Sequence, residues 1–121
     1  MELLSKILIA VVALEHIYIM YFEMFAWETL GKRIFKSLPQ NLFTPTKTLA
    51  ANQGLYNGFL AAGLIWSLFI SDKEWSNNVA IFFVSCVIIA GIYGALTASK
   101  KIFFTQALPA IITLLVILFL K

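Results

Sequence analysis

The sequence predicts an all-α membrane protein in which four transmembrane helices form an up-down bundle. Hydrophobic residues fill 61% of the 121 positions and charged residues only 12%, and the mean hydropathy is +0.91. Ordinary soluble domains are about 45–50% apolar. The hydrophobic residues form four continuous runs, each long enough for a helix to cross a bilayer. Continuous runs favour helices over the alternating strands of a membrane β-barrel.

The connectors between the runs predict how the helices are arranged. Two connectors are short and force antiparallel neighbours, whereas the first helix returns through a longer polar loop. Apolar and basic residues alternate in that loop, which is typical of an interfacial segment in the headgroup region. No linker rich in Ser, Gly or Pro divides the chain, so we expect a single domain over residues 1–121. The predicted helices span about residues 3–27, 49–70, 77–98 and 102–120.

The basic residues predict an orientation in the membrane. The first and third loops share one side and carry six of the nine Lys and Arg residues. The positive-inside rule therefore places these loops in the cytoplasm and both termini outside. Because the basic residues lie mostly between apolar runs, topology explains the net charge of +3, and we expect no nucleic-acid partner. The first apolar run carries no small-residue cleavage site and is interpreted as a retained helix.

Ionisable residues inside a spanning helix are costly and usually functional. The first predicted helix contains three of them, Glu15, His16 and Glu23. At about 100° of rotation per residue, His16, Glu23 and Trp27 lie on one stripe, and Glu15 lies to its side. The sequence therefore indicates a polar site on this face of the helix.

The second predicted helix carries a polar face and a small-residue face. Gly54 and Gly58 belong to the small face, which suits close contact between helices. Exposed hydrogen-bonding side chains are costly in lipid, so we expect the polar face to look into the bundle. The residues assigned to the polar face are Asn52, Gln53, Tyr56 and Asn57.

The predicted topology brings these polar groups to the cytoplasmic half of the membrane, where the fourth helix adds Gln106. We therefore expect an intramembrane pocket open to the cytoplasm. Its candidate acid/base pair is Glu23 with His16. A purely structural role, in which the polar groups fix the packing, is the alternative and is preferred for Asn57. The candidate ligand-binding residues are Trp27, Asn52, Gln53, Tyr56, Asn57 and Gln106.

Three hypotheses for the function follow from this pattern. The first is binding of a small amphipathic or lipid-like molecule, with acid/base chemistry on that molecule left open. The second is a proton-coupled transporter similar in size to the small multidrug resistance transporters, protonated at Glu15 or Glu23 and forming an oligomer. The third is a structural membrane subunit. We expect no metal, because there is one histidine and Glu15 faces away from Glu23, and no cofactor motif is visible.

Two long motifs, LEHIYIMYFEMFAW and KTLAANQGLYNGFLAAGLIW, together with TQALPA, give the chain a resemblance to a known family. It resembles small bacterial membrane proteins classified as domain of unknown function 1304. The resemblance covers nearly the whole chain and implies four transmembrane helices and a bacterial plasma membrane. It implies no activity. The matching positions include His16, Glu23, Trp27, Asn52, Gln53, Gly54, Tyr56, Asn57, Gln106 and Pro109.

Overall fold

The computed structural model describes residues 1–120, and these residues form helices and connecting turns without any strand. The predicted all-α class is therefore confirmed. Three helices have 23 residues or more, and a fourth, shorter helix follows them; a three-residue helix lies in the first connector. The helices are α1 (Leu3–Phe25), α2 (Lys32–Ile34), α3 (Lys47–Phe69), α4 (Lys73–Thr97) and α5 (Leu108–Phe119).

The start of α4 is set by a side-chain cap. The backbone N–H of Trp75 donates a hydrogen bond of 2.9 Å to Oδ1 of Asp72, and Asp is among the best residues for satisfying the free N–H groups of a first helical turn. The helix therefore begins at Lys73, four residues before the predicted start. The acidic Glu74 in the first turn also complements the positive end of the helix dipole.

Pro109 explains why the last helical segment is not a uniform α-helix. Proline has no N–H to donate, and its ring clashes with the carbonyl four residues earlier. A wider π-helical turn, Phe103–Ala107, directly precedes α5 and Pro109. Such turns are a known way for a helix to accommodate a local break in its hydrogen bonding. The predicted helix over residues 102–120 is thus a π-helical turn followed by α5.

Among residues 1–120, two helices are long and apolar enough to cross a membrane. They are Leu3–Phe25, with a mean hydropathy of 1.9, and Lys73–Thr97, with 2.5. The apolar segment Phe103–Phe119 is shorter. Although α3 is as long as α1, its amide side chains make it less hydrophobic. Length and composition thus support two candidate spans, and the count of four is part of the function proposed below.

The contacts divide the chain into two compact units. The first contains Met1–Leu14 and the chain from Leu60 onward, and the second is Glu15–Phe59. The expected single domain stays a prediction. We call the first the apolar unit, because it contains the main cluster of buried hydrophobic side chains and its buried polar residues are only serines and a threonine. The cluster consists of Ile9, Val12, Ala13, Leu64, Ala80, Val84, Val87, Ala110 and Ile117.

Within the apolar unit, small residues let α4 approach the last helical segment closely. A Cβ atom added at Gly91 would lie 2.7 Å from the backbone nitrogen of Ala107 and 2.8 Å from its Cβ. Backbone atoms cannot move aside as a side chain can. Gly91 therefore fixes the spacing of this helix contact.

Candidate functional site

A buried hydrogen bond between Glu23 and Asn57 is the centre of the second unit, which we call the polar unit. Glu23 lies in α1 and is only 3% exposed. Its Oε1 atom accepts a hydrogen bond of 2.7 Å from Nδ2 of Asn57 in α3. A buried carboxylate needs such a partner, because an unpaired charge away from water is very costly.

Two glycines of α3 allow this close contact. A Cβ atom at Gly54 would lie 2.7 Å from Cγ of Met24 and 2.9 Å from Cβ of Glu23. At Gly58 it would lie 2.6 Å from Sδ of Met20. The small-residue face of α3 thus packs against α1, as the spacing of the glycines predicts.

Asn57 belongs to this packed face, although the sequence pattern assigned it to the polar face with Asn52, Gln53 and Tyr56. On a helix, residues three and four positions apart are neighbours, so Asn57 follows Gly54 onto the side that meets α1. Its hydrogen bond to Glu23 gives it a direct part in the candidate site. This bond also fits the structural role preferred for Asn57, and its part in binding a ligand stays a prediction.

The other three residues assigned to the polar face of α3 are exposed and do not face inward as expected. The amide of Asn52 donates to the backbone oxygen of Thr48, one turn earlier, at 3.0 Å. Tyr56 is 61% exposed, and Gln53 is exposed as well. Packing of the glycine face on α1 turns these three side chains away. Their role in binding a ligand stays a prediction.

His16 is fully buried in α1, and the structure pairs it with Glu15. Its Nδ1 atom lies 3.9 Å from Oε1 of Glu15. That Glu15 oxygen is buried and has no hydrogen-bond partner in residues 1–120. Glu23 lies two helical turns farther along and bonds to Asn57. The two members of the candidate acid/base pair therefore have separate partners in this structure.

Trp27 holds the segment that connects α1 to α3. Its indole N–H donates to Oγ1 of Thr46 at 3.0 Å. The centroid of its ring lies 4.9 Å from the ring centroid of Phe43 and 5.5 Å from that of Phe35. Phe43 is fully buried. Sequence reasoning missed Phe43, although a large apolar residue between prolines in a polar loop is a signal for local packing.

The connector contains short turns, Trp27–Gly31, α2 and Gln40–Leu42, and no long amphipathic helix.

Glu28 makes a hydrogen bond and an ion pair at the surface of the same connector. Its Oε2 atom accepts a hydrogen bond of 2.7 Å from Oγ1 of Thr44, and its Oε1 atom lies 3.3 Å from Nζ of Lys47. The Thr44 hydrogen bond, followed by the interactions with Lys47, lowers the pKa of Glu28 below its ordinary value. The carboxylate is therefore ionised at neutral pH.

Gln106 lies in the π-helical turn Phe103–Ala107 of the apolar unit and is half-buried. Its role as a ligand-binding residue stays a prediction. Within residues 1–120, no group of three or more His, Cys, Asp and Glu side chains is placed to hold a metal ion. The Glu23, Asn57 and His16 side chains offer a carboxylate, an amide and an imidazole.

Comparisons with known proteins agree on one family. Residues 10–118 match the model of a family described as "Protein of unknown function (DUF1304)". The chain is also 38% identical, over 117 residues, to the "Uncharacterized protein YpaA" of Lactococcus lactis subsp. lactis (strain IL1403), covering 95% of this chain and 97% of that protein. No solved structure matches the chain. With a family match over most of its length and a relative of this similarity, the chain belongs to the DUF1304 family.

Proposed function

We propose that the protein is a multi-pass membrane protein that binds a small amphipathic or lipid-like molecule at Glu23. The observation that carries the proposal is the burial of this carboxylate, with a hydrogen bond of 2.7 Å to Asn57, in a helix long and apolar enough to cross a membrane. Ionisable groups at such positions are costly and mark binding or proton-transfer sites. In the proposal, α1, α3, α4 and the segment Phe103–Phe119 all span a bacterial plasma membrane.

The chemistry of the pair suits a ligand with a hydroxyl or amine head. A carboxylate offers about four acceptor positions, and the Asn57 amide fills one of them. A hydroxyl or ammonium group of the ligand would donate to another, while its apolar part remains in the bilayer. A protonated Glu23 could also donate a proton, which leaves acid/base chemistry open.

The methionines around the pair favour a site that can adapt. Met20 and Met24 contact the glycine face of α3, and methionine side chains are flexible enough to repack around different shapes. A ligand could therefore enter beside Glu23 through movement of side chains alone. The position of Glu23 near the end of α1, which is Phe25, favours entry from the side of the connector.

The proposal is tested with Glu23→Gln, which preserves the shape and can still accept from Asn57. Small molecules that co-purify with the protein in mild detergent are measured by mass spectrometry, together with the melting temperature. We expect the bound molecule to fall at least about tenfold, the equivalent of one lost charged hydrogen bond, while the protein stays folded. Glu28→Gln is the matched control, because Glu28 is a glutamate on the surface of the same unit. If Glu23→Gln melts early but retains the molecule in full, the pair is only structural.

Proton-coupled transport is the second candidate function, and the Glu15–His16 pair favours it. Two ionisable side chains lie 3.9 Å apart within α1, and a buried Glu15 oxygen lacks a hydrogen bond. Proton relays in membrane proteins use such side chains. Transport requires access from both sides in turn. The test is proton-driven uptake of a small molecule into vesicles that contain the protein. If uptake is lost in Glu15→Gln and retained in Glu28→Gln, transport is supported over binding alone.

The proposed orientation has the first and third loops in the cytoplasm. Cysteine introduced at Lys36 or Lys101 should be protected from a membrane-impermeant thiol reagent in intact cells, and cysteine at Lys73 should react. The native Cys86, which is partly buried, is replaced by Ala in all variants. The reverse labelling pattern would show that the orientation is inverted and that the ligand enters from the outer face.

A further inference from the structure

An aromatic groove lies between α3 and α4 in the apolar unit, outside the site already described. It encloses about 330 Å³. Four of its six lining residues are aromatic, and one carries an amide. The residues that line this groove are Trp66, Trp75, Asn78, Val79, Phe82 and Phe83.

Buried contacts hold the groove open between the two helices. The Ser76 hydroxyl donates a hydrogen bond of 2.7 Å to the backbone oxygen of Ser67, and both serines are buried. These serines directly follow Trp75 and Trp66 in the sequence, so the bond sets the spacing of the two tryptophans. A Cβ atom at Gly63 would overlap the ring of Phe83, which shows that this ring lies against the backbone of α3.

The aromatic faces of the groove are available to a ligand. Trp66 is 58% exposed, Trp75 61% and Phe82 63%. The rings of Phe82 and Phe83 meet edge to face, with an interplanar angle of 86°. A lipid chain would be served equally well by aliphatic residues. Aromatic faces, especially those of tryptophan, additionally attract cations.

The charges beside the groove also favour a cation. At its end, Asp72 caps α4 and the helix begins with Lys73 and Glu74, so this stretch carries two carboxylates and one ammonium. Asp72 accepts the backbone N–H of the groove residue Trp75 at 2.9 Å, which places its carboxylate beside the groove.

We propose that this groove binds a small lipophilic organic cation, an alkyl- or arylammonium ion. The cationic head lies against the faces of Trp66 and Trp75 near Asp72, and the apolar part lies along Val79 and Phe82. This ligand is recognised by its charge and by its apolar surface together. The site is independent of Glu23 and does not depend on the function proposed above.

The experiment titrates benzyltrimethylammonium into the purified protein in a neutral maltoside detergent, followed by calorimetry. Wild-type protein should show saturable binding of one ion per chain. Trp66→Leu with Trp75→Leu preserves apolar surface but removes the two indole faces, and should weaken binding at least about tenfold. Asp72→Asn should weaken binding severalfold while keeping the helix cap, because Asn caps helices as well as Asp does.

Two controls separate binding from folding. Phe59→Leu replaces an exposed phenylalanine of α3 that is outside the groove and is 58% exposed, and it should bind like wild type. If the double tryptophan variant does not fold, Phe82→Leu replaces it, with a loss of severalfold expected.

Four results would overturn the proposal. The first is the absence of saturable binding to the wild type, and the second is equal affinity in the wild type and the tryptophan or Phe82 variants. The third combines two observations: the wild type does not bind the ammonium ion, and the tryptophan variant sediments as a monomer where the wild type sediments as a dimer. That result would make the groove an interface between two copies. A photoreactive fatty acid that labels Trp75 and is not displaced by the ammonium ion would assign the groove to lipid chains instead.

Discussion

In the apolar unit, α4 meets the last helical segment backbone to backbone, at Gly91 and Ala107, whereas in the polar unit α1 meets α3 through flexible methionines and a carboxylate–amide pair. Both contacts depend on glycine. The contact at Gly58 differs from that at Gly91 in what lies opposite the glycine, which is the sulfur of Met20 at Gly58 and the backbone of Ala107 at Gly91. A backbone atom cannot yield, but the end of a methionine side chain can adopt another rotamer.

This difference indicates why the candidate ligand site is in the polar unit. A contact that can repack tolerates an ionisable group and an entering molecule, while a rigid contact sets a fixed distance between helices. The apolar unit supplies the fixed framework on which the aromatic groove is built. The following predictions test this contrast, beginning with the largest expected effect.

Gly91→Leu should lower the free energy of unfolding by about 3 kcal/mol, the upper end of the usual cost of overpacking. The new side chain would meet the backbone nitrogen of Ala107, and the helices must separate. The measurement is thermal or denaturant unfolding in detergent. Gly94→Leu is the matched control, because its nearest neighbours are side-chain atoms of Ile102 at 3.0 Å and beyond, and it should cost less. Equal losses in the two variants would show that the backbone contact is not special.

Asn57→Leu should lower the free energy of unfolding by about 2 kcal/mol, since it removes a hydrogen bond from a buried carboxylate. The same substitution at Asn52, whose side chain is exposed, should have little effect. Unfolding of both variants is compared with that of the wild type. The combination Asn57→Leu with Glu23→Gln should recover part of the loss, because the buried group left behind is then neutral. Additive losses in the double variant would argue against a direct pair.

Gly58→Leu should cost about 1 kcal/mol, at the lower end of the overpacking range. The added side chain would meet the sulfur of Met20, which can move. Gly58→Leu combined with Met20→Ala should recover most of the stability, because the smaller residue makes room. A loss as large as that of Gly91→Leu would show that both contacts are rigid.

Thr44→Val should raise the pKa of Glu28 toward its ordinary value, because the Thr44 hydroxyl is the largest cause of its lowered pKa. A lowered carboxyl pKa stabilises the folded state above the ordinary pKa, and this stabilisation is lost as pH falls through the lowered value. The variant should therefore lose this small contribution at neutral pH but not at low pH. The pKa is measured by NMR titration of the Glu28 side chain. An unchanged pKa would show that the nearby lysines, Lys47 and Lys32, lower it without Thr44.

Much of the fold was predictable because it depends on local properties of the chain. Long apolar runs require helices, since each backbone N–H and C=O group must be paired inside the segment. Pro109 marks a break in the last helical segment, whereas the cap at Asp72, which starts α4 four residues before the predicted start, was missed. The close contact at Gly54 and Gly58 also followed from their spacing.

The rotation of α3 was decided only by the tertiary structure. Its polar residues and its glycines compete for the side that meets α1, and the sequence pattern does not say which is stronger. The glycine face is the one that meets α1, because close helix packing gains contacts along the whole face. Asn57 is carried into the contact with Glu23, and Asn52, Gln53 and Tyr56 are left exposed.

The composition and spacing of residues thus determined where the helices run and that Glu23 is a candidate functional group. Its partner was decided by packing, because a helix of known position can still rotate about its axis. The aromatic groove has the same origin. Trp66 and Trp75 are nine positions apart and on different helices, and their spacing is set by tertiary contacts, among them the buried hydrogen bond between Ser76 and Ser67.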